Sequence, residues 1–167
     1  ISPILHDLFN NVLELPQPGH VEGGDVLVTQ SSVMIGLSGR TDMDGALALI
    51  ECLKTIGYKG EIVNTPEGVL HLKTECSLLD EETILVTRRM EQSGIFDGFN
   101  TIVVPQGEEP AANVIRINDS LLVSANYPRT IDLLDQSGYL VVPVKTAEIQ
   151  KIDAGLSCMS LRWFAAH

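Results

Sequence analysis

The chain has 167 residues, 44% hydrophobic and 20% charged, which suits one domain with a real core and excludes a disordered tail, a collagen-like fibre or a coiled coil. A net charge of −11, with no cluster of Lys and Arg, excludes a basic nucleic-acid-binding face. No apolar run approaches the ~18 residues of a spanning helix, and no basic stretch precedes an apolar core near the N-terminus, so neither a membrane span nor a secretory signal is expected.

Residues 3–16 read as a helix followed by a strand, the tail of a unit whose first two strands are missing. Asp25 to Gln30 reads as a strand, Ser31-Ser32 as a tight turn, and Val33 to Leu37 as its return. Asp42 can cap a helix whose inner face carries Ala46, Leu49, Ile50 and Leu53, with Gly57 as its stop. Glu61 to Asn64 then reads as a strand. The order strand, strand, helix, strand returns with strands at Val69–Thr74 and Thr83–Thr87, a short helix at Arg88–Ser93, and a strand at Thr101–Pro105. A third copy has strands at Asn113–Ile117 and Leu121–Ser124. Its helix lies between Pro128 and Gly138, and its last strand is Tyr139–Pro143. The units open near residues 25, 69 and 112, a spacing of roughly 44 residues that signals repeat architecture. Residues 157–164 read as one further strand without its partner. Repeat units bury their apolar faces only against neighbours. The chain is therefore expected to be a fragment of a longer polypeptide.

Three cysteines, Cys52, Cys76 and Cys158, make an odd count, which argues against a disulfide framework and for a reducing, cytoplasmic setting. With no CxxC or HxxxH pair, no structural zinc site is expected.

Four places carry candidate chemistry. In Val21-Glu-Gly-Gly-Asp25 the acids are either a solvated turn, or Gly23 and Gly24 admit a ligand that Glu22 faces. His71, in Leu70-His-Leu-Lys73, is either a packed strand histidine or a general acid/base. Lys73 shares its face and reads equally as a surface charge. Cys52 and Cys76 read as small hydrophobes, whereas Cys158 follows a glycine-containing turn that gives it access. Arg40, in Gly36-Leu-Ser-Gly-Arg-Thr41, is either a solvated loop residue or a fork for a carboxylate.

Those segments, with Ala112-Asn-Val-Ile115 and Lys151-Ile-Asp-Ala-Gly-Leu-Ser-Cys-Met-Ser-Leu161, occur in an order that resembles the dimethylarginine dimethylaminohydrolases. These belong to the guanidine-modifying, or amidinotransferase, superfamily. The resemblance implies an α/β fold of ββαβ units in a five-fold pseudosymmetric propeller, with about three complete units in residues 1–167. These would form a single catalytic domain lacking its N-terminal units. It implies hydrolysis of dimethylarginine to citrulline and dimethylamine. It also implies Cys158 as nucleophile, His71 as general acid/base, and Glu22 holding the guanidinium. Arg40 would pair with the substrate carboxylate, and Ile152 would touch substrate through its backbone. No metal or other cofactor is implied. In arginine deiminases, a second carboxylate stands two residues after the histidine. Lys73 occupies that place here and favours the dimethylarginine reaction. The family's other substrate-binding carboxylates lie upstream of the matched region. Two alternatives stay open, arginine deimination and a non-catalytic fragment that binds a second chain supplying the missing units. A homodimer is also compatible with the sequence.

Overall fold

A computed structural model of the chain describes residues 2–162. A short helix, α1 (Ser2–Leu8), precedes three copies of one motif. In the first, β1 (Val26–Val28) pairs antiparallel with β2 (Val33–Leu37), α2 (Met43–Thr55) crosses over, and β3 (Gly60–Asn64) returns parallel to β2. The second comprises β4 (Cys76–Leu78), β5 (Thr83–Val86), α3 (Arg88–Gln92) and β6 (Asn100–Val103). The third comprises β7 (Ile115–Ile117), β8 (Ser120–Ser124), α4 (Pro128–Gln136) and β9 (Leu140–Val144), followed by the short α5 (Ala147–Gln150). Each copy is a separate three-stranded sheet with the second hairpin strand in the middle. No helix among the described residues is long and apolar enough to cross a membrane.

Local chemistry sets the helix ends. The Asp42 carboxylate accepts from Gly45 N at 2.7 Å and so caps α2, while Gly57 follows its end with φ +81°, a conformation that costs glycine nothing. The cap of α4 comes from outside the helix. Glu108 accepts from Thr130 N at 2.8 Å and from Arg129 N at 3.2 Å.

The core lies between sheets as well as under helices. Ile84, Leu85 and Val86 in the central strand β5 are all fully buried. Alternation sends Ile84 and Val86 to one cluster with Leu27 and Met34 of the first unit. Leu85 goes to another with Leu121 and Val123 of the third. A sheet buried on both faces explains why β5 is a continuous apolar run. At about 1.5–3 kcal/mol per large apolar side chain, these shared faces make each unit dependent on its neighbours.

Several sequence expectations change. Val69–Thr74 is not a strand: Leu72–Thr74 is a 3-10 turn, and Cys76–Leu78 takes the hairpin position. The groups a sheet ladder would use are committed to side chains. Leu72 N donates to Asp25 Oδ1 at 2.9 Å, and Lys73 O accepts from Asn113 Nδ2 at 2.9 Å. The first strands therefore begin at Val26, Cys76 and Ile115, and the even repeat spacing is lost. Asp25 likewise ends a 3-10 turn rather than starting a strand.

The strand expected before residue 16 is absent. Pro16 and Pro18 supply no N–H, and Gly19 lies so close to α2 that an added Cβ would sit 2.3 Å from Gly45 N. At the other end, Ser157–Met159 form a 3-10 turn in place of the expected strand, whose residues 163 and 164 lie outside the described residues.

Candidate active site

Short 3-10 turns precede each sheet, at Gly23–Asp25, Leu72–Thr74 and Glu109–Ala112, and Ser157–Met159 forms another near the C-terminus. Glu22 stands immediately before the first, His71 immediately before the second, and Cys158 lies within the last. Glu22 and His71 thus occupy corresponding places on the first and second units, while Cys158 lies in the C-terminal segment.

Asp25 organises the first turn. It is fully buried, and its carboxylate takes three hydrogen bonds: Leu72 N at 2.9 Å on Oδ1, and Ser38 Oγ and Thr41 Oγ1 at 2.7 Å each on Oδ2. One carboxylate therefore joins the Glu22 turn, the Ser38–Thr41 loop and the His71 turn. Thr41 Oγ1 also accepts from Glu22 N at 3.0 Å.

His71 is 8% exposed. Its ring packs on Gly24, where an added Cβ would lie 2.8 Å from His71 Cγ and 3.1 Å from Nδ1. The space beside Gly24 thus belongs to His71 rather than to a ligand, while Gly23 faces open space. His71 Nε2 has no hydrogen-bond partner among the described residues, although it is buried. Such an orphaned atom costs about 1–3 kcal/mol and needs a reason to persist.

Glu22 and Arg40 line one open cleft with His20, Ser38, Gly39 and Asp42. Arg40 N donates to Ser38 Oγ at 3.1 Å, which fixes the loop beneath the guanidinium. Asp42 accepts from His20 N at 3.1 Å and lies 3.2 Å from His20 Nδ1. The bonds from the backbones of Gly45 and His20 hold its carboxyl below the ordinary value. The cleft thus presents two carboxylates, a guanidinium and an imidazole, a set suited to a zwitterionic ligand.

The three cysteines differ as their surroundings dictate. Cys76 is fully buried, its thiol donates to Leu72 O at 3.2 Å, and burial pushes its pKa far above the ordinary value. Cys52 is half-buried on α2. Cys158 is exposed, and its Sγ accepts from Gly155 N at 3.4 Å. Nearby, burial lowers the Lys73 ammonium pKa and the Arg162 charge adds to this, while Cys76, Cys158 and Asp25 act in the opposite sense.

Ile152 lies in the turn after α5, 71% exposed, with its N–H donating to Ile149 O at 3.2 Å. Glu22 and Arg40 therefore share the cleft, and His71 packs on the turn that carries Glu22. Cys158 and Ile152 belong to a separate C-terminal segment. Sequence reading missed His20, Ser38 and Asp42 as cleft residues. Asp42 was legible only as a helix cap, and no local pattern pairs it with His20 across 22 positions. Among the described residues, no group of three His, Cys, Asp or Glu is placed to hold a metal.

Residues 3–108 match the family model described as arginine deiminase. The chain is 40% identical over 152 residues to the N(G),N(G)-dimethylarginine dimethylaminohydrolase of Pseudomonas aeruginosa, covering 91% of this chain and 59% of that protein. It thus spans about 60% of that relative's length. A structure of the Pseudomonas aeruginosa enzyme, a cysteine-to-serine mutant complexed with citrulline, superposes with a TM-score of 0.90 at 36% identity. That match covers 97% of this chain and 65% of that one. Inosamine-phosphate amidinotransferase from Streptomyces griseus gives a TM-score of 0.71 at 16% identity over 86% of this chain and 46% of that one, a likeness of fold alone.

Proposed function

The chain belongs to the arginine deiminase family, and on that premise we propose that it hydrolyses N-methylated arginine to citrulline and dimethylamine through a covalent thiol intermediate. The observation that carries this reading is His71, a buried imidazole whose Nε2 has no partner among the described residues, held against the turn of Glu22. A guanidinium is cationic and resonance-stabilised, so its carbon is a poor electrophile, and a thiolate is the side chain suited to attack it.

Arg40 takes the substrate carboxylate as a bidentate fork, and Glu22 orients the guanidinium. The Ile152 carbonyl contributes a backbone contact, since its N–H is already engaged. Substrate charge and a protonated His71 favour the Cys158 thiolate. Cys158 Sγ forms a bond to the guanidinium carbon. The bond from that carbon to the dimethylamine nitrogen then breaks, and His71 supplies the leaving amine's proton. A thiouronium remains on sulfur. Neutral His71 next takes a proton from water as the water oxygen bonds to the same carbon. Citrulline leaves as the C–S bond breaks, and the thiolate returns. General acid/base help of this kind contributes about 10²–10⁴-fold.

The three ββαβ units belong, in this reading, to a single catalytic domain of five-fold pseudosymmetric propeller type. The superposition on the Pseudomonas aeruginosa enzyme supports that reading. Three free thiols support a cytoplasmic location.

The test is citrulline release from asymmetric dimethylarginine and from arginine, with Cys158→Ser beside the unaltered chain. Release from dimethylarginine that Cys158→Ser abolishes is the expected result. Equal release from the variant would remove Cys158 as nucleophile. Preference for arginine would make the reaction a deimination, and no citrulline from either substrate would refute catalysis by this chain alone.

A further inference from the structure

Cys158 sits on a three-residue turn whose own backbone bonds are local, Met159 N to Leu156 O at 3.2 Å and Ser160 N to Ser157 O at 3.3 Å. Neither bond says where the thiol stands relative to the unit that carries His71. Leu156, 9% exposed, anchors the turn through apolar contact, which is not directional. Directional contacts come from Asn113, 7% exposed, between the Glu109–Ala112 turn and β7. Its Nδ2 donates to Lys73 O at 2.9 Å and to Ser157 Oγ at 2.8 Å, and its Oδ1 accepts from Ser157 N at 2.9 Å.

The partners fix the amide's orientation. Lys73 O can only accept and Ser157 N can only donate, so exchanging Oδ1 and Nδ2 would break both bonds. Packing locks the same side chain, because an added Cβ at Gly155 would lie 2.6 Å from Asn113 Cγ. Lys73 is two residues after His71, and Ser157 immediately precedes Cys158. A single buried amide from the third unit thus grips both loops.

We propose that Asn113 is the positioning residue that registers the Cys158 turn against the His71 turn. It touches no substrate and acts through the two loops it bridges. The inference rests on the proposed pairing of Cys158 with His71. A misplacement of about 1 Å between reacting groups costs on the order of 10²-fold in rate, so a buried clamp on both loops bears directly on the reaction. Asn113 is well suited to this, since the amide carries a donor and an acceptor on one short, rigid stem.

The experiment follows alkylation of Cys158 by iodoacetamide from pH 5 to 10 on the 167-residue chain, read on the Cys158 peptide by mass spectrometry. Asn113→Leu, Asn113→Ala and His71→Gly are compared with the unaltered chain, and each is also melted. Asn113→Leu keeps the branched heavy-atom skeleton without either polar group and leaves no cavity, so it complements Asn113→Ala, which removes the whole amide. Neither substitution changes charge, so any shift in the profile reports geometry. The charged groups around this turn, His71, Lys73, Asp25 and Arg162, are all retained.

The expected result is that Asn113→Leu moves the profile toward that of His71→Gly. A rise of about one pH unit in the thiol midpoint gives about a 10-fold slower alkylation at pH 7. If His71→Gly shifts the profile and the Asn113 variants do not, the positioning role is overturned and the Cys158–His71 pairing stands. Lower melting temperatures with unmoved profiles also overturn the positioning role, since a merely structural amide would do just that. If His71→Gly itself leaves the profile unchanged, the pairing falls and the role of Asn113 falls with it.

Discussion

Replacing Gly24 by alanine tests the packing that holds His71. The new Cβ would lie 2.8 Å from His71 Cγ and 3.1 Å from both Cβ and Nδ1. Two of the near atoms belong to the stiff imidazole ring of a residue only 8% exposed, so the side chain must turn or the Gly24 turn must move. Overpacking of this kind costs about 1–3 kcal/mol. Reduced freedom of the unfolded chain returns about 0.4–1 kcal/mol, leaving a net loss of about 1–2 kcal/mol. At about 2–4 °C per kcal/mol for a chain of this size, the melting temperature should fall by roughly 2–8 °C. Gly23→Ala is the internal control, since nothing lies within 4 Å of its added Cβ, and its melting temperature should stay level or rise slightly. Citrulline release should separate the variants more sharply, because a ring displaced by about 1 Å costs on the order of 10²-fold. Equal melting temperatures and equal citrulline rates for the two variants would refute the account of how His71 is seated.

Asp25→Ala should destabilise by about 3–5 kcal/mol, since it strands the buried donors of Leu72 and Thr41 and the half-buried one of Ser38, and chemical denaturation would show a loss below ~1 kcal/mol if the carboxylate were dispensable. Arg40→Ala should raise KM for dimethylarginine by about 10–100-fold with a smaller change in kcat, as removal of a charge-assisted carboxylate contact requires, and an unchanged KM would assign the carboxylate elsewhere. Burial alone would raise the Glu108 carboxyl, but hydrogen bonds from Thr130 and Arg129 outweigh it and lower the pKa from 4.5. Its contribution to stability is therefore present above pH 4.5 and lost as pH falls through the lower folded value. Melting between pH 7 and 3 should show that Glu108→Gln starts less stable and declines less steeply in acid. Parallel acid limbs would contradict this.

What could be read from the sequence was what depends on neighbours in the chain. The cap at Asp42, the stop at Gly57 and the apolar spacing from Ala46 to Leu53 placed α2 almost to the residue, and Val33–Leu37 is β2 to the residue. Val69–Thr74 misled because its composition suits a strand, while its backbone is bonded to the side chains of Asp25 and Asn113, each about forty positions or more away. The same distance hid the clamp on the Cys158 turn. In Ala112-Asn-Val-Ile115 the only available signal was one polar residue within an apolar run, which shows that something must satisfy an amide but not what. Glu22 and Arg40 lie in separate sequence motifs, and the bonds of Thr41 and Ser38 that bring them to one cleft have no local signature.

Because the cleft, His71 and Cys158 stand on turns that precede or follow different sheets, no sheet folding alone creates the proposed site. Each hairpin closes over short loops, whereas the bonds from Asp25 to Leu72 and from Asn113 to Ser157 close loops of 47 and 44 positions. Loop-closure entropy delays such contacts behind the hairpins. During refolding, secondary structure should therefore return before Cys158 recovers its native reactivity. That thiol is a clock for a late event in assembly, the docking of the C-terminal turn onto the finished third unit.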